Sequence, residues 1–417
     1  MKKEFYSNNR IKYINKIADN SLTILSSGCV LRKTADQDFD YEVDKNFYYL
    51  TGINQAEVVF LLLKKNNEVT EILFIEENDP IRIKWVGAKL YPDEAKEISG
   101  IINIKYLTEY EAILEDYLSQ VNDVYLNFEV SKSHRFNANY VFSSRIKKKF
   151  PDKNYINNDP IIVDLRSVKD EKEVAKIKES IDITKLGIEA LMTNSRPGIY
   201  EYQLESEFDY VIKNNGQRVT SFKTIAASGI NATILHYVNN NSLLKDGELI
   251  LFDLGCTTDF YISDISRTFP INGKFTERQK AVYNEVLNVN KKCIEFLKPG
   301  VTRLEYNNYA KELLAQACKR LGLIEKDEEL VKYYFHGIGH SIGLDTHDPC
   351  NYEPVFREGM ILTVEPGLYI PEEQIGVRIE DDVLLTKDGC VNLSANIIKE
   401  VDDIEEFFRK NNQYNAK

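Results

Sequence analysis

The same order of elements occurs twice in the second half of this 417-residue chain, and this constrains the fold more than any other feature. Arg196-Pro197-Gly198-Ile199 precedes a helical stretch at 200–215, and Lys298-Pro299-Gly300-Val301 precedes another at 303–321. A histidine segment follows in each half, 234–237 in the first and 336–347 in the second. Next comes an apolar strand ending in a carboxylate and a glycine: 249–255 with Asp253, and 360–367 with Glu365. Asp253 and Glu365 correspond at an offset of 112 (365 − 253), as do Gly255 and Gly367. A further carboxylate closes each half, Asp264 and Glu380, at an offset of 116 (380 − 264). The Pro-Gly pairs lie 102 apart (299 − 197), so the halves differ by small insertions. A repeat of this kind predicts two related halves built from the same helix and strand units.

The repeated carboxylates are the candidate chemistry. Residues 249–269 read as two strands with a turn near 256–259. Asp253 and Asp264 are 11 residues apart, and an odd separation lets them sit directly opposite on one face of a hairpin. Their Cβ atoms would then be ~4.5–5.5 Å apart, where like charges destabilise a sheet. Either one carboxylate takes a raised pKa or a cation bridges them; two metals ~3.5–4 Å apart need carboxylates on both sides. Glu365 and Glu380 form the second pair. Glu365 ends its strand, and Pro366 stops the ladder beyond it. In Gly376-Val377-Arg378-Ile379-Glu380, Arg378 and Glu380 share one face while Val377 and Ile379 share the other. Carboxylates embedded in apolar strands are normally paired or metal-bound.

The chain has five histidines, and three of them, His336, His340 and His347, fall in one run. The spacing of His336 and His340 matches a helical zinc pair. However, Gly337, Gly339 and Gly343 disfavour a helix, and the residue after His336 is Gly337 rather than glutamate. On an extended chain the two rings would stand about 13 Å apart at ~3.3 Å per residue, so one can ligate while the other lines the pocket.

The first half reads differently. Short apolar runs at 21–25, 58–63, 71–75, 102–106 and 124–128 alternate with amphipathic stretches at 93–98, 109–118 and 136–149. That pattern predicts an α/β domain over 1–165. The charged stretch 166–172 opens a long helical pattern with Val174, Ile177, Ile181, Leu186 and Leu191, stopped by Arg196-Pro197-Gly198. The second domain is expected over 166–410, with 411–417 frayed. A net charge of −12 argues against nucleic acid as the main partner. No apolar run approaches the ~18 residues that span a bilayer. The start, Met1-Lys2-Lys3-Glu4-Phe5-Tyr6, leads into no signal-type apolar stretch, so a cytoplasmic protein is expected. Six cysteines without a C-x-x-C pair read as reduced thiols, with Cys256 as a turn thiol. Trp85, the single tryptophan, reads as a core or interface residue, and His134 as a surface residue.

Together these residues resemble the pita-bread metallopeptidases, the superfamily of methionine aminopeptidase, prolidase, aminopeptidase P and the metal-independent creatinase. The motifs DLGC…SDISRTF, HGIGHSIGLDTHD, TVEPGLY and GVRIED carry the resemblance over nearly the whole second domain. Asn46-Phe47-Tyr48-Tyr49-Leu50-Thr51-Gly52 extends it into the first, and the pattern is closest to aminopeptidase P. The resemblance implies an α+β fold, with a pseudo-two-fold pita-bread catalytic domain behind a smaller creatinase-like α/β domain. By this likeness Asp253, Asp264, His340, Glu365 and Glu380 are metal ligands, with Asp264 and Glu380 bridging. Glu365 doubles as the base. His236, His336 and His347 bind substrate and steady the tetrahedral intermediate. Arg378 stands beside the last ligand, and Tyr369 follows the Glu-Pro-Gly motif. The implied reaction releases the residue ahead of a proline at the second position, through water or hydroxide bridging two divalent metals. One histidine and four carboxylates make a hard donor set, for which Mn²⁺ is expected and Co²⁺, Fe²⁺ or Zn²⁺ are alternatives. Prolidase, acting on Xaa-Pro dipeptides, is the close rival. A non-catalytic peptide-binding module on the same fold is the distant one, since all five ligand positions are filled. The resemblance also implies a homodimer or homotetramer, in which a tryptophan such as Trp85 can approach a neighbour's site.

Overall fold

The structure, a computed structural model, describes residues 1–128, 138–350, 355–412 and 414, and divides into two units, Met1–Arg166 and Ser167–Lys417. His134, expected at the surface, lies outside the described residues, as do the first two residues of the helix expected at 136–149.

The first unit is built on a six-stranded mixed sheet in the order β4-β3-β2-β1-β5-β6. Its strands are β1 (Ser21–Ser26), β2 (Val59–Lys65), β3 (Glu68–Ile75), β4 (Ile104–Tyr106), β5 (Asp123–Leu126) and β6 (Asn154–Asn157). β1, β2 and β3 pair antiparallel, while β4, β5 and β6 join in parallel. Asn66 and Asn67, both at positive φ, make the two-residue turn between β2 and β3. The helices are α1 (Lys3–Ile14), α2 (Lys45–Thr51), α3 (Pro80–Val86), α4 (Pro92–Ser99), α5 (Tyr110–Gln120), α6 (Ala138–Lys149) and α7 (Asp159–Ser167). Leu22, Ile24, Leu61, Phe74, Leu114, Leu118, Val124 and Leu126 form the core between sheet and helices. Trp85 is not part of it: α3 buries none of its residues, and Trp85 is 84% exposed.

The second unit holds the repeat. Its first half runs α8 (Glu171–Asn194), α9 (Glu201–Asn214), β7 (Ile225–Ser228), β8 (Leu249–Leu254), β9 (Thr257–Thr258), β10 (Tyr261–Ile262) and β11 (Ile265–Pro270). Its second half runs α10 (Glu277–Phe296), α11 (Arg303–Arg320), β12 (Ile361–Val364), β13 (Gly367–Ile370), β14 (Ile375–Arg378), β15 (Asp381–Leu385) and β16 (Cys390–Asn392), closed by α12 (Val401–Asn411). Each half contributes a three-stranded sheet, β11-β8-β7 and β12-β15-β16. The charged stretch ahead of α8 works as a capping box. Asp170 accepts from the backbone N–H of Lys172 and Glu173, and the Glu173 carboxylate returns a bond to the Asp170 N–H. Thr276 with Gln279, and Thr302 with Glu305, repeat the device at α10 and α11.

Three local expectations differ from the structure. The hairpin turns at Asp259-Phe260, both at positive φ, and not nearer Cys256. The pairing therefore places Asp253 opposite Ser266, with Asp264 one diagonal step away on the same face. Cys256 is consequently not a turn residue: it is fully buried, and its thiol donates to the Ser180 carbonyl. Nor does the chain fray at 411–412. Ile404 and Phe408 bury one face of α12, and the Asn412 amide donates to the carbonyls of Met192 and Ser195. Residues 413 and 415–417 lie outside the described residues. No helix among the described residues is long and apolar enough to cross a membrane.

Candidate metal centre

The two halves meet at a cluster of carboxylates. In the first half, β8 delivers Asp253, and the residue before β11 is Asp264. In the second, residues 338–341 run beside β12. The Thr363 N–H donates to the His340 carbonyl at 2.8 Å, and the Glu365 N–H to the Ile338 carbonyl at 2.9 Å. Gly339 permits this approach, since a Cβ there would stand 2.0 Å from the Thr363 carbonyl oxygen. That pairing sets His340 beside Glu365. Glu380 enters from the end of β14, and its N–H donates to the Ser266 carbonyl of β11 at 3.1 Å.

Asp264, His340 and Glu380 each present a ligand atom, all within 4.8 Å of one another. His340 Nε2 is 3.4 Å from Asp264 Oδ2 and 3.9 Å from Glu365 Oε1. The Ser341 carbonyl, which can only accept, lies 3.1 Å from His340 Nδ1 and so holds the ring hydrogen there. The Nε2 lone pair is thus turned on a carboxylate oxygen. Two acceptors that close need a proton or a metal cation between them. Asp253 Oδ1 is buried with no hydrogen-bond partner among the described residues. Burial, and next the Asp253 carboxylate, push the Asp264 pKa well above the usual range. Burial, then Asp264 and Glu365, do the same to Glu380. Burial raises Glu365 to about 7. A buried orphan acceptor, an imidazole lone pair and several strained carboxylates make up a donor set that fits divalent metal.

Arg378, 2% exposed, brings a guanidinium into the cluster. Its Nη2 donates to Asp253 Oδ2 at 2.7 Å, its Nε to Ser266 Oγ at 2.8 Å and its Nη1 to Tyr369 Oη at 3.0 Å. Tyr369 in turn reaches His336 Nε2 at 2.9 Å, while His336 Nδ1 faces the Gly337 carbonyl at 2.7 Å. His336 therefore carries its hydrogen on Nδ1 and accepts from the tyrosine. Burial, with Arg378 nearby, lowers its pKa to about 3 and keeps the ring neutral. The His347 ring stacks on His340 with centroids 4.0 Å apart. His236 is exposed, and it adds to the fields that lower both His336 and His347, so it lies near both.

The structure thus brings the candidate site residues near one another, and it adds three that the sequence reading does not name. Ser266 Oγ links Arg378 to Glu380 Oε2 at 2.7 Å. Asp382 Oδ2 accepts from the Asp264 N–H at 3.1 Å. Arg267, 2% exposed, clasps the Glu380 carbonyl at 2.6 Å and Asp381 Oδ1 at 2.8 Å. Ser266 was within reach of the sequence, being two residues from Asp264 on the same strand face. The pairing of Arg267 with Asp381 leaves no local signal.

The chain is similar to known proteins over nearly its whole length. Residues 175–387 match metallopeptidase family M24, and residues 6–125 match the aminopeptidase P N-terminal domain. The chain is 32% identical to the Xaa-Pro aminopeptidase of Haemophilus influenzae, over 97% of this chain and 96% of that one. It superposes with a TM-score of 0.97 on a Bacillus anthracis structure provisionally assigned as an aminopeptidase P, at 44% identity and with 100% of both chains covered. Escherichia coli aminopeptidase P with the inhibitor Pro-Leu gives a TM-score of 0.91 at 29% identity, over 98% of this chain and 99% of that one.

Proposed function

The chain belongs to metallopeptidase family M24, and from that membership we propose how its own residues divide the chemistry. It is a metal-dependent hydrolase that releases the N-terminal residue of peptides carrying proline at the second position. The observation that carries the assignment of roles is the convergence of Asp264, His340 Nε2 and Glu380 within 4.8 Å, beside a Glu365 raised to about 7.

Asp253, Asp264, His340, Glu365 and Glu380 would hold the metal, with Asp264 and Glu380 as the carboxylates the ions would share. Divalent ions bound there, two in this reading and Mn²⁺ before Co²⁺, Fe²⁺ or Zn²⁺, supply an acidified water and polarise the scissile carbonyl. Glu365 takes a proton and returns it to the proline nitrogen as that nitrogen leaves; such transfer contributes ~10²–10⁴-fold. Proline has no amide N–H and a fixed φ near −65°, so its nitrogen departs as a secondary amine that must be protonated. Placing the substrate α-amine near Asp253 restricts cleavage to the first residue. Arg378 and Tyr369 fix the neutral His336 ring, and His236 and His347 hydrogen-bond the substrate and the developing oxyanion. We place the protein in the cytoplasm as a homodimer or homotetramer. Six free cysteines suit a reducing compartment, and Trp85 is exposed and available to a neighbouring copy.

Cleavage of an Xaa-Pro-Yaa tripeptide and an Xaa-Pro dipeptide, after chelation and again after adding Mn²⁺, tests the reading. Metal-restored release of the first residue from the tripeptide is expected. Cleavage of the dipeptide alone would make the protein a prolidase, and cleavage of neither with metal bound would make it a peptide-binding module. Asp264→Ala and Glu380→Ala should each abolish turnover and lower metal stoichiometry; wild-type rates in either would sink the two-metal scheme.

A further inference from the structure

A second buried carboxylate centre lies in the first half of the repeat, outside the metal cluster. Glu201, at the start of α9, is 0% exposed. Its Oε1 accepts from the Ser228 N–H at 2.7 Å, the Ser228 hydroxyl at 2.7 Å and the Asn231 amide at 3.0 Å. Its Oε2 accepts from the Tyr237 hydroxyl at 2.9 Å and the Ser242 N–H at 2.9 Å. Among the described residues no lysine or arginine pairs with it. Only an acceptor with two oxygens and no hydrogens can take all these donors at once, which is what a carboxylate provides.

All the donors belong to one stretch, residues 228–242, and that stretch carries His236. Within it Leu235 and Tyr237 turn inward and pack with Ala232, Leu251 and Tyr369. Ile234, His236 and Val238 stay exposed. On the far side the stretch is pinned by β14, where a Cβ at Gly376 would stand 2.1 Å from the Ala232 carbonyl oxygen. The His236 segment is therefore clamped between a buried carboxylate and a glycine-only contact, and its inner tyrosine shares an apolar cluster with Tyr369, the residue that orders His336.

We propose that Glu201 and Tyr237 are positioning residues that hold His236 toward the substrate, so that this ring adds to peptide binding without ordering itself on each encounter. The proposal rests on the reading of His236 as a substrate-binding group. Removing the tyrosine hydroxyl frees the segment while leaving the metal donors intact, and the loss falls on binding more than on the chemical step.

The test is a double-mutant cycle on the metal-loaded enzyme: wild type, Tyr237→Phe, His236→Ala and the pair, with KM and kcat for an Xaa-Pro-Yaa tripeptide, metal content and melting temperature read for each. Tyr237→Phe should raise KM about tenfold with kcat changed far less and metal content unaltered. In the His236→Ala background the same change should have almost no further effect on KM. Glu201→Gln should move KM in the same direction and further. Equal effects of Tyr237→Phe in both backgrounds, or a lowered melting temperature with KM unchanged, would mean the clamp is only structural. A wild type that cleaves no Xaa-Pro-Yaa peptide removes the functional reading and this inference together. An active wild type with additive variants removes this inference alone.

Discussion

Glu365 shows most clearly how one side chain is prepared for its work. With no ion beside it, burial lifts its pKa to about 7; as proposed, it stands next to the metal donors, where it can take a proton from water and pass it to the leaving nitrogen. Glu365→Gln keeps the shape and removes the proton carrier. It should lower kcat about 10²–10⁴-fold in the metal-saturated enzyme; a loss of less than tenfold at full metal content would assign the base elsewhere. Single residues were also where the sequence was most readable. Asp253, Asp264, Glu365 and Glu380 stand out because each lies within or at the end of an apolar run, and the repeat aligns them in pairs. The step between Asp253 and Asp264 was not readable. It depends on a left-handed Asp259-Phe260 pair, and no glycine or Asn-Gly marks such a turn. Glu201 and Arg267 were equally silent, because their partners lie far along the chain. Arg267 meets Asp381 across 114 residues.

Among the elements, α8 carries a titratable fault in its own cap. Glu173 is 2% exposed, bonded to the Asp170 N–H and the Tyr261 hydroxyl, and burial raises its pKa from 4.5 to about 7. A folded-state pKa above the unfolded one favours the fold fully below pH 4.5, and this advantage disappears as pH rises through about 7. Glu173→Gln does not titrate. Its melting temperature relative to wild type should therefore climb between pH 5 and pH 8, by the equivalent of roughly 3 kcal/mol at most; a flat difference across that range would refute the account. Just before the cap, Lys169 meets Asp348 at 3.0 Å with both side chains 1% exposed, tying the His347 loop to α8. Lys169→Met leaves a buried carboxylate short of its cation and should cost about 3–5 kcal/mol, with much of the loss recovered when Asp348 is replaced as well. Denaturant melts of the single and double variants decide this. Elements with a regular apolar face were legible, β1 to β5 and α8 among them. Those without one were not. α1 buries Asn9 and Arg10 among Phe5, Tyr6 and Tyr13, and their side chains reach carbonyls of Tyr49, Leu50 and Ser99, so polar residues interrupt its inward face. α2 is buried on every side and shows no period at all. α10 has a readable stripe in Val282, Val286, Val289 and Cys293. A repeat defined from the Pro-Gly pairs nevertheless starts too late to include it.

For the molecule as a whole, metal and stability are linked. An ion that binds only the folded second unit at a hundredfold excess over its Kd stabilises that unit by ~2.7 kcal/mol. For a unit of this size each kilocalorie moves the melting temperature by about 2–4 °C, so saturation after chelation should raise it by roughly 5–11 °C. Calorimetry with and without Mn²⁺ measures this, and an unchanged transition would place the ion outside the folded cluster. The division of the donors between the two halves also has a consequence during synthesis. The proposed ligands begin at Asp253 and end at Glu380, 127 residues later (380 − 253). At ~5–20 residues per second a ribosome needs about 6–25 s to pass from the first to the last. During that interval the emerging chain displays acidic residues but no complete cage. On the proposed ligand set, a nascent polypeptide completes its cage only once Glu380 has been made, and a product truncated before it should bind less metal however well its earlier parts have folded.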